Sequence, residues 1–163
     1  MTARTLAVWC MDWPAIAAAA AAGLPPTAQV VVLHANRVAA CSSSAREAGV
    51  RRGLRRREAQ ARCPQVHIAA VDPDRDARFF EGVVTAVDDV VPRAEVLRPG
   101  LLVLPVRGAA RYFRSEQAAA ERLVDAVAAG ARRVMLDRGQ VYGLPVDLAQ
   151  LVALGRAGQQ EAR

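Results

Sequence analysis

Residues Thr5–Met11 (TLAVWCM) are apolar almost throughout, and Asp12-Trp13-Pro14 separates them from the alanine-rich run Ala15–Ala22. A short segment with no polar alternation suits a central strand buried on both faces. Asp12 as N-cap, with proline early in the first turn, predicts a helix immediately afterwards. Gly23 and Pro25-Pro26 stop it. A buried strand feeding a helix requires a mixed architecture, in which helices cover a sheet. The same segment bears on targeting. Asp12 and Pro14 interrupt the apolar stretch that follows Arg4, which argues against a secretion signal. Ala15–Ala22 is too short to cross a bilayer. The expected setting is cytoplasmic, with no membrane partner.

Further elements follow from patterning. Gln29–Ala35 reads as a strand, and Val38–Ser42 extends or pairs with it. Ser42–Ser44 supply caps for a helix over Ala45–Ala48, closed by Gly49. A second helix is expected from about Arg55 to Arg62, ended by Cys63-Pro64. Val66–Val71 is a short strand candidate. Asp72-Pro73 opens a long helix to about Val90, with Phe79, Val83, Val87 and Val90 on one face. Glu95–Leu97 and Leu101–Val106 are two strands, or one disturbed by Pro99-Gly100. Ser115 caps a helix to Ala129. In the tail, Asp147 followed by Leu148, Leu151, Val152 and Leu154 reads as a capped amphipathic helix. Gln150–Leu154 also resembles, without its terminal aromatic, the Gln-Leu pentapeptides that dock on sliding clamps.

Composition narrows the function classes. The 163 residues suit one domain or part of a larger protein. The formal charge is +6, and all 22 basic residues are arginine. Arginine's planar guanidinium matches phosphate, so a polyanionic partner is favoured. An arginine- and alanine-rich composition also fits a GC-rich genome. Cys10, Cys41 and Cys63 are odd in number and widely spaced, and no Cys-x-x-Cys pair occurs. Neither zinc nor a disulfide framework is indicated, so reduced buried thiols are expected.

Three segments carry a resemblance: Thr5–Pro14 (TLAVWCMDWP), the arginine-rich Ser42–Pro64, and Ala94–Val106 (AEVLRPGLLVLPV). In this order and separation they resemble the first acidic strand, the fingers and the second acidic strand of Y-family DNA polymerases (the UmuC domain). The resemblance covers about residues 4–129. It implies a mixed α/β (α+β) chain, with a ferredoxin-like palm and a small helical fingers insertion over 1–130. On this resemblance the thumb and little-finger domains are expected to be absent from these residues. Residues 131–163 have no counterpart; they read as a tail with a short helix, or as the product of a truncation.

The resemblance also implies which residues to inspect. Where the family carries Asp-x-Asp, this chain has Cys10 and Asp12. Where it carries Ser-x-Asp-Glu, the acidic pair is Gly100 and Leu101. Nucleotidyl transfer uses two Mg²⁺ ions held by hard oxygen ligands. A protonated thiol and two side chains without oxygen supply none, leaving Asp12 alone. No metal, no cofactor and no catalytic residue is therefore expected. Arg46 occupies the arginine of a phosphate-contacting Tyr-x-x-Arg pair whose tyrosine is here Ser43. The aromatic that excludes ribonucleotides corresponds to Ala15.

Arg51, Arg52, Arg55, Arg56, Arg57 and Arg62 form the strongest charge cluster. Together with Arg46 it reads as a phosphate-binding surface, or as a solvated face partly balanced by Glu47 and Glu58. Interleaved aromatics are absent, so base stacking is not indicated there. Within the family, the pattern is closest to ImuB-type proteins. This implies a non-catalytic adaptor of damage-induced (SOS) mutagenesis and translesion synthesis. Its partners would be DNA, an error-prone replicative-type polymerase, a small accessory mutagenesis protein and the sliding clamp, although the partner-binding parts lie largely beyond the palm. Alternatives are an active translesion polymerase, an unrelated arginine-rich nucleic-acid binder, and a gene remnant.

Overall fold

The computed structural model describes residues 5–105, 113–136 and 149–154. Among them, strands β1 (Thr5–Cys10), β5 (Glu95–Arg98), β6 (Leu101–Pro105) and β7 (Ala149–Leu154) form one sheet in the order β5-β6-β1-β7. Every pairing in it is antiparallel. Helices α4 (Pro73–Asp88) and α5 (Glu116–Leu136) pack on one face. The succession β1, α4, β5, β6, α5, β7 in this strand order is the ferredoxin-like arrangement. The core between sheet and helices contains Leu6, Val8, Cys10, Leu102 and Leu104 facing Phe80, Val83, Val87, Leu123 and Val127.

The insertion lies between β1 and α4. It contains α1 (Trp13–Ala21), β2 (Val30–His34), β3 (Arg37–Cys41), α2 (Ser43–Glu47), α3 (Arg56–Arg62) and β4 (His67–Ala70). Its strands make a second sheet, β3-β2-β4, with β2 antiparallel to β3 and parallel to β4. The insertion is therefore helical only in part. Small residues of α1, Ala15, Ala18 and Ala19, pack on Val30 and Val32 of that sheet.

Most expected elements form close to their expected limits, with four exceptions. Asp12 does not cap α1 through its side chain. Its φ of 56° is left-handed, and the cap lacks a side-chain hydrogen bond. The carboxylate turns instead to Arg46 of α2. β1 is not buried throughout, because Trp9 is 36% exposed between buried neighbours. α5 does not end at Ala129 but runs to Leu136.

The fourth exception is the tail. Ala149–Leu154 forms β7 rather than part of a helix, while Asp147 and Leu148 lie outside the described residues. A short apolar run fits either period, and the open edge of β1 offers a complete backbone ladder from Thr5↔Leu154 to Cys10↔Ala149. Tertiary pairing overrides the helical spacing.

Gly130 shows why α5 passes so close to α4. A Cβ there would lie 2.6 Å from the Gly82 carbonyl oxygen and 2.8 Å from Ala86 Cβ. Gly130→Ala is expected to destabilise the fold by about 1–2 kcal/mol, because overpacking outweighs alanine's better helix propensity. Urea unfolding monitored by circular dichroism checks this.

Candidate functional site

The turn after β1 and the β5–β6 hairpin meet at one end of the first sheet. Arg98-Pro99-Gly100-Leu101 forms a two-residue hairpin turn with Gly100 at φ 86°. Proline followed by a glycine of positive φ is the type II turn pattern. The Gly100 carbonyl accepts a hydrogen bond from Cys10 N at 2.8 Å. Cys10 and Gly100 thus lie side by side, with Asp12 in the adjoining turn, as the resemblance implies. Leu101 follows, half-buried, directly across from Trp9.

The chemistry at these positions is unlike a metal centre. Cys10 is 2% exposed, and burial pushes its thiol up to about 12, so it is protonated at neutral pH. Gly100 is pressed against Trp13, and a Cβ at that position would lie 2.6 Å from Trp13 Cβ and 3.2 Å from the Cys10 carbonyl oxygen. Trp13 itself is fixed. Its indole Nε1 donates to the Asp76 carbonyl oxygen at 2.9 Å, and its ring meets Phe80 edge-on, 5.0 Å between centroids. The remaining carboxylate, Asp12, is ion-paired with Arg46. Among the described residues, no group of three His, Cys, Asp or Glu side chains is placed to hold a metal ion. These residues do not fit a pair of Mg²⁺ ions, which need several oxygen ligands.

Arg46 is positioned by its short helix. Ser42 caps α2, accepting from Ala45 N at 3.3 Å, and also accepts from Val30 N at 3.0 Å. Ser42 and Ser44 hydroxyls both donate to the Ala28 carbonyl oxygen, at 3.0 and 2.9 Å. These bonds tie α2 to the start of β2; the serines read from sequence as caps also serve as anchors. Ser43, in place of the expected tyrosine, is exposed. Ala15 is fully buried against Val30 and Val32, so it does not border an open nucleotide site.

The remaining arginines lie on a pinned loop and on α3. Gly53, at φ 90°, donates to the Val38 carbonyl oxygen, and Val38 N donates to the Leu54 carbonyl oxygen, both at 2.8 Å. Arg56 N bonds the Asn36 carbonyl oxygen at 3.1 Å. Arg51 donates through Nη1 to the carbonyls of Arg46 and Val50, and Arg62 through Nη1 to that of Gly49. Arg52, Arg55, Arg56 and Arg57 are exposed, and the last three line an open depression with Asn36 and Gln60. Glu58 accepts from the Arg55 backbone N at 2.6 Å. Among the described residues neither Glu47 nor Glu58 forms an ion pair with these guanidinium groups. The loop is therefore a rigid, cationic surface.

This geometry has known counterparts. The structure is similar to the insertion ternary complex of Dbh DNA polymerase, with a TM-score of 0.61 and 14% identity, over 91% of this chain and 41% of that one. A Y-family DNA polymerase chimera of Dbh and Dpo4 gives 0.55 and 14%, over 83% and 39%. DinB from Sulfolobus solfataricus gives 0.57 and 14%, over 83% and 39%. At such identities the likeness establishes the fold, and this chain spans about two-fifths of those polymerases' length. No curated protein matches it in sequence. A family profile described as IMS, impB/mucB/samB family, matches residues 12–132. With three-quarters of its length in that match, and with the fold those polymerases share in their palm and fingers, the chain belongs to the impB/mucB/samB family.

Proposed function

We propose that this chain is a non-catalytic, ImuB-type polymerase-like module that binds DNA in the damage response and acts as an adaptor in translesion mutagenesis. The observation that carries the reading is the hairpin tip. A turn glycine with no room for a Cβ and a buried neutral thiol occupy the positions that the sequence resemblance assigns to the family's metal-binding carboxylates. Leu101 adds no side-chain oxygen, and the one remaining carboxylate, Asp12, is paired with Arg46. Retention of the family fold without its ligand set favours binding over turnover. An error-prone replicative-type polymerase, an accessory mutagenesis protein and the sliding clamp are the protein partners proposed, with a cytoplasmic location.

Arg51, Arg52, Arg55, Arg56 and Arg57, with Arg46 behind them, are the proposed phosphate contacts. If three to five reach phosphate, log affinity falls against log salt with a slope of about −2 to −4. Changing Arg51, Arg52, Arg55 and Arg56 together to Gln is expected to flatten that slope and weaken all sequences alike, because phosphate contacts carry no base information. Salt titrations by fluorescence anisotropy test this. A quadruple variant that keeps the parent's slope assigns the patch to solvent.

A further inference from the structure

Among the described residues of β1, only Trp9 leaves the core. Leu6, Ala7, Val8 and Cys10 are each 4% exposed or less, whereas Trp9 is 36% exposed. Side chains alternate along a strand, so Trp9 points to the sheet face opposite the one that Leu6, Val8 and Cys10 present to α4 and α5. Its cross-strand partner on β6 is Leu101, and the β5 partner of Leu101 is Arg98, which is exposed. Residues directly opposite in a sheet share a face. Trp9 and Leu101 therefore form a row across two strands, and Arg98, which closes the hairpin opposite Leu101 after a register shift in β5, stands at its end: an indole, an aliphatic side chain and a guanidinium. The row lies at the hairpin-tip end of the sheet, one residue from Cys10 and Gly100. Arg46 is held at this same end by its pair with Asp12.

We propose that this row is a stacking platform for an unpaired base of single-stranded DNA. The open indole offers a flat face for a base, the aliphatic Leu101 extends that face, and Arg98 meets the adjoining phosphate. Charge selects this occupant over a second apolar protein surface. The row ends in an arginine, sits beside the arginine-bearing insertion, and belongs to a chain of net charge +6. Aromatic stacking combined with cationic backbone contacts is how single-stranded nucleic acid is held without sequence preference. The proposal rests on the DNA-binding reading above and adds to it a second, base-dependent contact outside the arginine loop.

The test uses intrinsic fluorescence and a matched pair of oligonucleotides. Trp13 is 3% exposed, so stacking-dependent quenching reports Trp9. The probes are oligothymidine and an abasic oligomer of the same length and charge. Oligothymidine is expected to quench the emission and to bind about 5- to 150-fold tighter than the abasic oligomer, the range of one stacked base. Trp9→Ala is expected to erase that preference while leaving abasic binding unchanged, and Trp9→Phe to retain most of it. Circular dichroism verifies that both variants fold. A Trp9→Ala protein that still prefers oligothymidine overturns the platform. If it does so while the quadruple arginine variant loses its salt slope, the platform fails and the DNA-binding reading stands. If the parent protein binds neither oligomer, both fail.

Discussion

Gly100→Asp is expected to lower the melting temperature by about 5–15 °C, at about 2–4 °C per kcal/mol for a domain of this size. A non-glycine residue at Gly100's φ of 86° costs about 1–2 kcal/mol. Overpacking against Trp13 adds about 1–3 kcal/mol. Trp13 has little freedom to yield, because its indole is tied to Asp76 and wedged against Phe80. Gly100→Ala is expected to lose a comparable amount, since the Cβ alone makes the 2.6 Å contact. Leu101→Glu, on the half-buried outer position, is expected to cost about 1 kcal/mol or less. The contrast separates packing from charge. A Gly100→Asp protein melting within 2 °C of the parent, on the scale of the same principle, rules out the tight packing of this turn.

Asp76→Ala is expected to destabilise the protein by about 3–5 kcal/mol, because it strands a buried guanidinium. Arg75 and Asp76 are both buried at the start of α4. Arg75 donates to Asp76 Oδ1 through Nη2 at 2.7 Å and Nε at 3.0 Å, and to the Ala70 carbonyl oxygen through Nη1 at 3.1 Å. This pair joins α4 to the end of β4. Burial pushes the Asp76 carboxyl above its ordinary value, and the Arg75 hydrogen bond offsets this only in part. The folded chain therefore holds that proton more tightly than the unfolded chain, so the group's contribution to stability falls as pH rises through the raised value. The pair acts as an organiser more than as a net source of stability. Arg75→Met with Asp76→Leu is accordingly expected to be far milder than Asp76→Ala alone. Guanidinium unfolding of the single and double variants measures the difference.

The sequence carried the palm and insertion well, because local signals dominate there. Asp72 caps α4 by accepting from Arg75 N at 2.9 Å, and Ser115 bonds Ala118 N at 3.0 Å, as their positions predict. The neighbourhood of Cys10 and Gly100 was legible only through the family resemblance, since no local rule joins residues so far apart. Other features depended on partners that sequence does not disclose. Asp12 reads as a cap until Arg46, on a later helix, takes its carboxylate. Leu151, Val152 and Leu154 fit a helix until the edge of β1 is known to be open. Trp9 sits in an apolar run, and only the register with Leu101 and Arg98 marks it as part of an outer face. The helix read as ending at Ala129 continues through Gly130, whose closeness to Gly82 makes it a crossing point.

The proposed function is DNA binding without nucleotidyl transfer. Its most direct test is primer extension by highly purified protein, on a primed template at concentrations where anisotropy shows the DNA to be bound, with Mg²⁺ and separately Mn²⁺. The bound primer is expected to gain no nucleotide with either ion. Extension that disappears in an Asp12→Asn variant would contradict that function.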